Sequence, residues 1–297
     1  MKKLLITCLL LIPFYINAKN NLSKGDVQLK NSLLWEVTGK EITEPSYLYG
    51  TMHLICDLST TNKAKVQKAV DASQQLYLEV DMFDPNQAAS IMTALSEGTK
   101  IKDIEDQEKK QKLLELSEKH LGMSGSIVEN TNLFTIFSMV AFKAMDACAF
   151  PTSVEESIES KFDNDRSKIA GLETIAEQME FIKASEVANL DNTIIGLQEF
   201  DNMKIMMKEL DALYMSENIN GLYTLMTEPS EVYTQEYIDK MMAVLLDKRN
   251  KNWVKQIPEI AESQPTFFAV GAGHLPGKNG VINLLREAGY TVKAVME

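Results

Sequence analysis

The chain has 297 residues, 45% of them hydrophobic and 24% charged, and a formal net charge of −12. That is enough for one large domain or two small ones, and the composition lies outside the disordered range. The excess of 42 acidic over 30 basic residues argues against nucleic acid as a partner, because its recognition needs a cationic footprint. Three cysteines exclude a disulfide scaffold or a Cys₄ zinc module, and any histidine chemistry must use His53, His120 or His274.

Met1-Lys2-Lys3, an apolar run from Leu4 to Ile16, and Asn17-Ala18 follow the order of a secretory signal. Cleavage is expected after Ala18, leaving a single domain over residues 19–297, exported to a periplasmic or extracellular space. The run is shorter than the roughly 20 residues a membrane span needs. No later segment is apolar enough, so the mature chain is expected to carry no transmembrane span. Cys8 lies too early in the run for a lipoprotein box. In an oxidising compartment Cys56 and Cys148 could pair, with free buried thiols the favoured reading.

Leu33–Val37 and Tyr47–Gly50 read as two strands of a hairpin, with turn chemistry at Gly39-Lys40 and Glu44-Pro45-Ser46. Ser59 is expected to cap a helix bearing Val66, Ala69, Val70 and Ser73. Gln75 to Asp81 is a strand. Asp84-Pro85 opens a largely helical stretch over about 84–262. It includes a charged helix over Ile104–Leu121 stopped by Gly122, an apolar one over Asn132–Ala149, and another over Val154–Phe162. A short strand interrupts the helices at Lys168–Glu173. Most of the 16 methionines fall in this middle region, where helical spacing reads as core filling. The end returns to the opening pattern. Thr266–Val270 is a buried strand, Gly271–Asn279 a glycine-rich loop, Val281–Ala288 an amphipathic helix and Tyr290–Val295 a last strand.

Two of the three histidines sit in matching contexts, Gly50-Thr51-Met52-His53-Leu54 and Gly271-Ala272-Gly273-His274-Leu275. Each follows an apolar strand, the place where α/β folds put their sites. Two equivalent loops could bring together two imidazoles, the commonest metal ligands and also acid/base groups. His120 closes a charged helix, where a histidine complements the dipole and needs no other role. Gly271-Ala272-Gly273 is not a dinucleotide fingerprint, because Pro276 stands where the third glycine belongs.

Metal sites usually add carboxylates to histidine. Glu79, in apolar Leu78-Glu79-Val80-Asp81, is either a ligand or the partner of a nearby cation. Asp81 shares its face by strand alternation and reads as an ordinary strand-end acid. Glu173 is a second candidate, or a helix N-terminal acid. Thr174–Glu177 is a capping box, and Gln178 could face site or solvent. Arg249 and Asn250 could bind an oxyanion or a substrate carboxylate, or belong to a solvated basic helix face.

Together these segments resemble the TraB/PrgY/GumN–Tiki family. The resemblance runs from Leu33 to the C-terminus. It rests on Leu34-Trp35, Gly50–Leu54, Leu78–Asp81, Gly171-Leu172-Glu173-Thr174 with Glu177-Gln178, Arg249-Asn250 with Trp253, Gly271–Leu275, Gly277, Gly280, Leu284-Leu285 and Gly289-Tyr290. It implies an α/β fold, leaning to α+β, with a mixed β-sheet from two related β-β-α halves and a large helical insertion between them. It implies a divalent-metal-dependent hydrolase of Tiki type, a peptidase acting on a peptide or protein substrate. The metal (Mn, Co or Zn) would sit on His53, Glu79 and His274. Glu173 would serve as general base or further ligand, and Arg249 and Asn250 would stabilise an oxyanion. Where many bacterial members carry Gly-aliphatic-Asp before the central helix, this chain has Ser153-Val154-Glu155. The alternative is a non-catalytic protein on the same fold that binds a ligand, haem or signal peptide. A blander third is a helical partner-binding module. Oligomeric state is left open.

Overall fold

The computed structural model describes residues 28–82, 84–96, 98–145 and 151–297. The expected signal, Cys8 and Cys148 lie outside them. Strands β1 (Leu34–Gly39), β2 (Ile42–Thr51), β3 (Gln75–Leu78), β4 (Ile169–Gly171), β5 (Thr266–Gly271) and β6 (Thr291–Ala294) form one mixed sheet in the order β4-β3-β5-β2-β1-β6. β4, β3, β5 and β2 are mutually parallel, and β1 runs antiparallel to β2 and β6. The expected α/β fold with a mixed sheet is therefore found.

The β1–β2 hairpin turns at Lys40-Glu41, closed by Gly39 opposite Ile42, and Gly39 takes a positive φ of 108° that glycine adopts without strain. Glu44-Pro45-Ser46 is not a turn, contrary to the sequence reading, but lies within β2. The pairing slips between Val37 and Gly39, so Pro45 falls in a bulge where its missing N–H leaves no ladder bond unmade. Helix α1 (Ala64–Asp71) begins after Lys63, which makes no side-chain cap. Ser59 does not cap it: its N–H donates to Asp57 Oδ1 at 2.7 Å within the preceding loop.

Both faces of the sheet are apolar, as befits parallel strands covered on each side. Tyr49, Leu76, Leu78, Phe267 and Ala269 face α1, helix α6 (Val154–Lys161) and Tyr214. Leu48, Tyr77, Phe268 and Val270 face helices α12 (Lys248–Ser263) and α13 (Val281–Glu287). The remaining helices form a third apolar cluster beside the sheet. It contains Met145, Met179, Met203, Met206, Met207, Met241 and Met242, all buried. These methionines are core, the plain reading of their spacing.

Helix ends follow the capping chemistry. The charged helix α3 (Gln107–Leu121) ends at Gly122 in the left-handed conformation, with φ 69°. Asn132 caps α5 (Leu133–Ala144) and Ser153 caps α6. Thr174 and Glu177 form the expected capping box on α7 (Ile175–Ser185). His120 packs its ring, tilted, 4.9 Å from that of Phe200, a packing role at the helix end. Among the described residues no helix is long and apolar enough to cross a membrane.

Candidate active site

The parallel strands β2, β3, β4 and β5 all end at one edge of the sheet, so the segments after them meet there. β2 and β5 are neighbours, with Thr51 opposite Gly271, so the two Gly-x-x-His loops leave side by side. β3 delivers Glu79 and β4 delivers Glu173, whose N–H donates to the Glu79 carbonyl at 3.0 Å. Gly271 is needed because the Glu79 carboxylate lies against its backbone. Its N–H donates to Glu79 Oε1 at 2.6 Å, and a Cβ there would stand 2.9 Å from the same oxygen.

The centre of the site is Arg249, with no solvent exposure. Its Nε donates to Glu173 Oε1 and Oε2 at 2.9 and 3.2 Å, and Nη2 donates to Glu173 Oε1 at 2.6 Å. Nη2 also meets Glu79 Oε2 at 2.5 Å. Nη1 donates to the Leu245 carbonyl at 3.1 Å and lies 3.1 Å from His274 Nε2. The basic-face reading fails for this residue, though it holds for Lys248 and Lys251, which are exposed. A π-helical turn over Ala243–Asp247 leads into α12, and such turns are frequent at functional sites. Arg249, Trp253, Ile257 and Ala261 are buried at four-residue spacing, so the guanidinium belongs to an inward stripe.

His274 is held as one tautomer. Arginine can only donate, so His274 Nε2 is the acceptor and the proton is on Nδ1. That nitrogen donates to Asn250 Oδ1 at 2.6 Å. The amide of Asn250 is fixed in turn, since its Nδ2 donates to the Asn279 carbonyl at 2.9 Å and the His274 carbonyl at 3.3 Å. Burial drives the His274 pKa down to about 3; Glu79 opposes this, and Arg249 and His53 add to it. The ring is neutral at physiological pH.

His53 is set differently. Its Nδ1 lies 2.8 Å from Glu155 Oε1. Burial alone would lower its pKa, but Glu155 and then Glu79 outweigh burial and Arg249 and lift it to about 9. Burial likewise pushes Glu79 up, but Arg249, the two histidines and the Gly271 N–H bring it down to about 2. Burial raises Glu173, against the Arg249 contacts that favour its ionised form.

Neighbouring residues complete the arrangement. Trp253 donates to Glu173 Oε2 at 3.3 Å and packs its ring 4.4 Å from that of His274. Gln178 faces the site, donating to Glu173 at 3.2 Å and reaching Glu79 at 3.5 Å. Asp81 does not share the place of Glu79. β3 stops at Leu78, strand alternation lapses, and Asp81 pairs with Arg166 instead. Cys56 is disulfide-bonded, against the free-thiol reading. A cavity of about 630 Å³ adjoins the second loop, lined among others by Tyr223, Glu228, Asp239, Asp247, Asn250 and Lys278.

Among the described residues, no group of three or more His, Cys, Asp and Glu side chains stands close enough to hold a metal ion. The reason is Arg249, which takes an oxygen of both Glu79 and Glu173 and faces the Nε2 of His274. The chemistry of the donor set nevertheless suits a divalent cation. His274 has its Nδ1 on Asn250 and His53 has its Nδ1 against Glu155, so Nε2 is in each ring the nitrogen that would ligate, in His274 only if Arg249 gives way. Glu79 and Glu173 are both buried and share one buried cation, Arg249.

The family model described as TraB/PrgY/gumN matches residues 33–294. The chain is 24% identical over 317 residues to "Metalloprotease TIKI1" of Danio rerio, covering 89% of this chain and 63% of that protein. It is 21% identical over 320 residues to "Metalloprotease TIKI2" of Xenopus tropicalis, covering 89% and 60%. A shorter match, 39% identical over 69 residues, covers 22% of the chain and 14% of human "Metalloprotease TIKI1". The chain thus spans about three-fifths of the length of the first two relatives. No solved structure matches. With a matching model over nearly its whole folded length, and with the residues above gathered at one sheet edge, the chain belongs to the TraB/PrgY/gumN family.

Proposed function

We propose that the protein is an exported divalent-metal-dependent hydrolase that cleaves peptide or protein substrates in a periplasmic or extracellular space. The observation that carries this reading is that both Gly-x-x-His loops and Glu79 leave the same sheet edge, with His274 Nε2 3.6 Å from Glu79 Oε1. The names of the relatives support a metalloprotease relationship. His53, His274 and Glu79 would hold the ion, with Mn, Co or Zn suited to nitrogen and oxygen donors. The bound ion would supply a nucleophilic water at neutral pH and polarise the scissile carbonyl.

The chain's own residues do the rest. Asn250 keeps His274 in the tautomer with Nε2 unprotonated. Glu173 holds Arg249 and Trp253 holds Glu173; the guanidinium would meet negative charge developing on a carbonyl oxygen by exchanging one of its present partners. Both Glu173 oxygens are engaged by Arg249, and one also by Trp253. This supports a positioning role over the general-base or further-ligand role. Asn250, with its oxygen on His274 and its nitrogen on two carbonyls, likewise orients the site. The cavity beside the second loop offers room for the substrate chain.

The test is cleavage of a peptide library by chelator-treated protein, with and without added Mn²⁺, Co²⁺ or Zn²⁺. Metal-restored cleavage, lost in His53→Ala and His274→Ala, is expected; cleavage indifferent to metal would overturn the reading. The second reading, binding without turnover, is favoured by the closure of the site, where His274 is 1% exposed and Arg249 not at all. It predicts no product with any metal and, if haem is the ligand, a Soret band lost in the double histidine variant.

A further inference from the structure

We infer that Glu155 is the positioning residue of the first Gly-x-x-His loop, taking His53 Nδ1 so that Nε2 is turned to the site. The inference rests on the metal reading above and adds to it a residue of α6. The contact is close, 2.8 Å between His53 Nδ1 and Glu155 Oε1, with side chains 17% and 15% exposed.

Backbone pairing makes the contact a built one. Ile55 and Thr152 exchange both N–H···O bonds at 2.9 Å, and the Val154 N–H donates to the Met52 carbonyl at 3.2 Å. The segment entering α6 is thus stitched to the loop that carries His53. Ser153 then caps the helix through the Glu156 N–H at 3.0 Å, which leaves the Glu155 side chain free of capping duty. Among the described residues neither Glu155 oxygen takes a regular hydrogen bond. A buried carboxylate without such partners is costly, so the fold keeps Glu155 there for the contact it does make. Burial pushes its carboxyl up, but the charge of His53 beside it holds it below the usual range.

The second histidine has the same device in neutral form, Asn250 Oδ1 on His274 Nδ1 at 2.6 Å. The two rings are therefore oriented alike and polarised differently. A carboxylate behind a ligating imidazole makes it a stronger donor and fixes its tautomer, so His53 is the stronger donor of the pair.

The experiment compares full-length wild type, Glu155→Gln, Glu155→Asp and His53→Ala. Zn²⁺ affinity is read by competition with a chromophoric chelator, and the visible spectrum is read after Co²⁺ loading. Glu155→Gln is expected to weaken Zn²⁺ binding about 10- to 100-fold and to alter the Co²⁺ bands, with Glu155→Asp intermediate. An ion pair that only stabilises the fold would shift the melting temperature and leave the Co²⁺ bands of the folded fraction unchanged. Zn²⁺ affinity equal to wild type in Glu155→Gln, with His53→Ala impaired, overturns the inference and leaves the metal reading standing. Wild-type affinity in His53→Ala overturns both. If Glu155→Gln does not fold, Glu155→Asp decides: weakened Zn²⁺ binding with altered bands supports the role, and unchanged binding overturns it.

Discussion

Replacing Arg249 with methionine tests how the site is held together. Methionine keeps much of the stem's volume but removes the guanidinium from between Glu79 and Glu173, both buried. Taking one partner from a buried ion pair costs about 3–5 kcal/mol, because the remaining charge is left without compensation. Here two carboxylates lose their cation, and the Leu245 carbonyl loses a donor at 3.1 Å, so the upper half of that range is expected. At roughly 2–4 °C per kcal/mol for a chain somewhat shorter than this one, the melting temperature falls by on the order of 10 °C. The assay is denaturant unfolding of chelator-treated protein, with midpoint and slope compared. Adding Glu173→Gln to Arg249→Met removes one stranded charge and should restore about 1–2 kcal/mol, a coupling typical of directly contacting groups. A loss below about 1 kcal/mol in Arg249→Met, or a double variant less stable than the single, would refute the claim that Arg249 compensates this buried carboxylate pair.

Other outcomes follow from the same contacts. Gly271→Ala puts a Cβ 2.9 Å from Glu79 Oε1, so it should displace that carboxylate and reduce metal affinity more than stability; equal affinity would count against the placement of Glu79. Trp253→Phe removes the indole N–H to Glu173 and should cost about 1 kcal/mol, read by thermal melting. Metal-free protein should be most stable near pH 6.5. Burial keeps His274 neutral down to about pH 3, whereas the unfolded ring protonates below 6.5, so acidification destabilises by on the order of 1 kcal/mol per pH unit. Glu79, brought down to about 2 chiefly by Arg249 against its burial, adds to this acid limb below about 4.5. His53, lifted to about 9 by Glu155 against its burial, contributes fully below 6.5 and is lost as pH rises through 9. A flat profile from pH 6.5 to 4 in urea titrations would contradict the neutral, buried state of His274.

The fold was legible where local chemistry decides it. The strand runs, the glycine stop at Gly122, the Thr174 capping box and both Gly-x-x-His loops follow from turn and cap residues that act within a few positions. The misreadings were non-local. Pro45 marks a turn by composition, yet the bulge opposite makes it a strand residue. Arg249-Asn250 sits among lysines, and only the four-residue spacing to Trp253 and Ile257 signals that it turns inward. That signal was in the sequence. Glu155 carried a weaker one, an acid after a serine cap, and its meeting with His53 depends on Ile55 pairing with Thr152 nearly a hundred residues away. The pairing of Glu79 with a cation, one of its two readings, is realised through Arg249. No spacing rule links those positions.

The central claim is that two imidazoles and Glu79 form a divalent-metal site at the sheet edge. Its most direct test is the metal content of the purified protein after chelation, reloading and removal of free ion. The account predicts about one tightly held equivalent in wild type and none in the His53→Ala plus His274→Ala variant, with the variant still folded by circular dichroism. The same metal content in both proteins, or none in wild type with any of Mn²⁺, Co²⁺ and Zn²⁺, would contradict it.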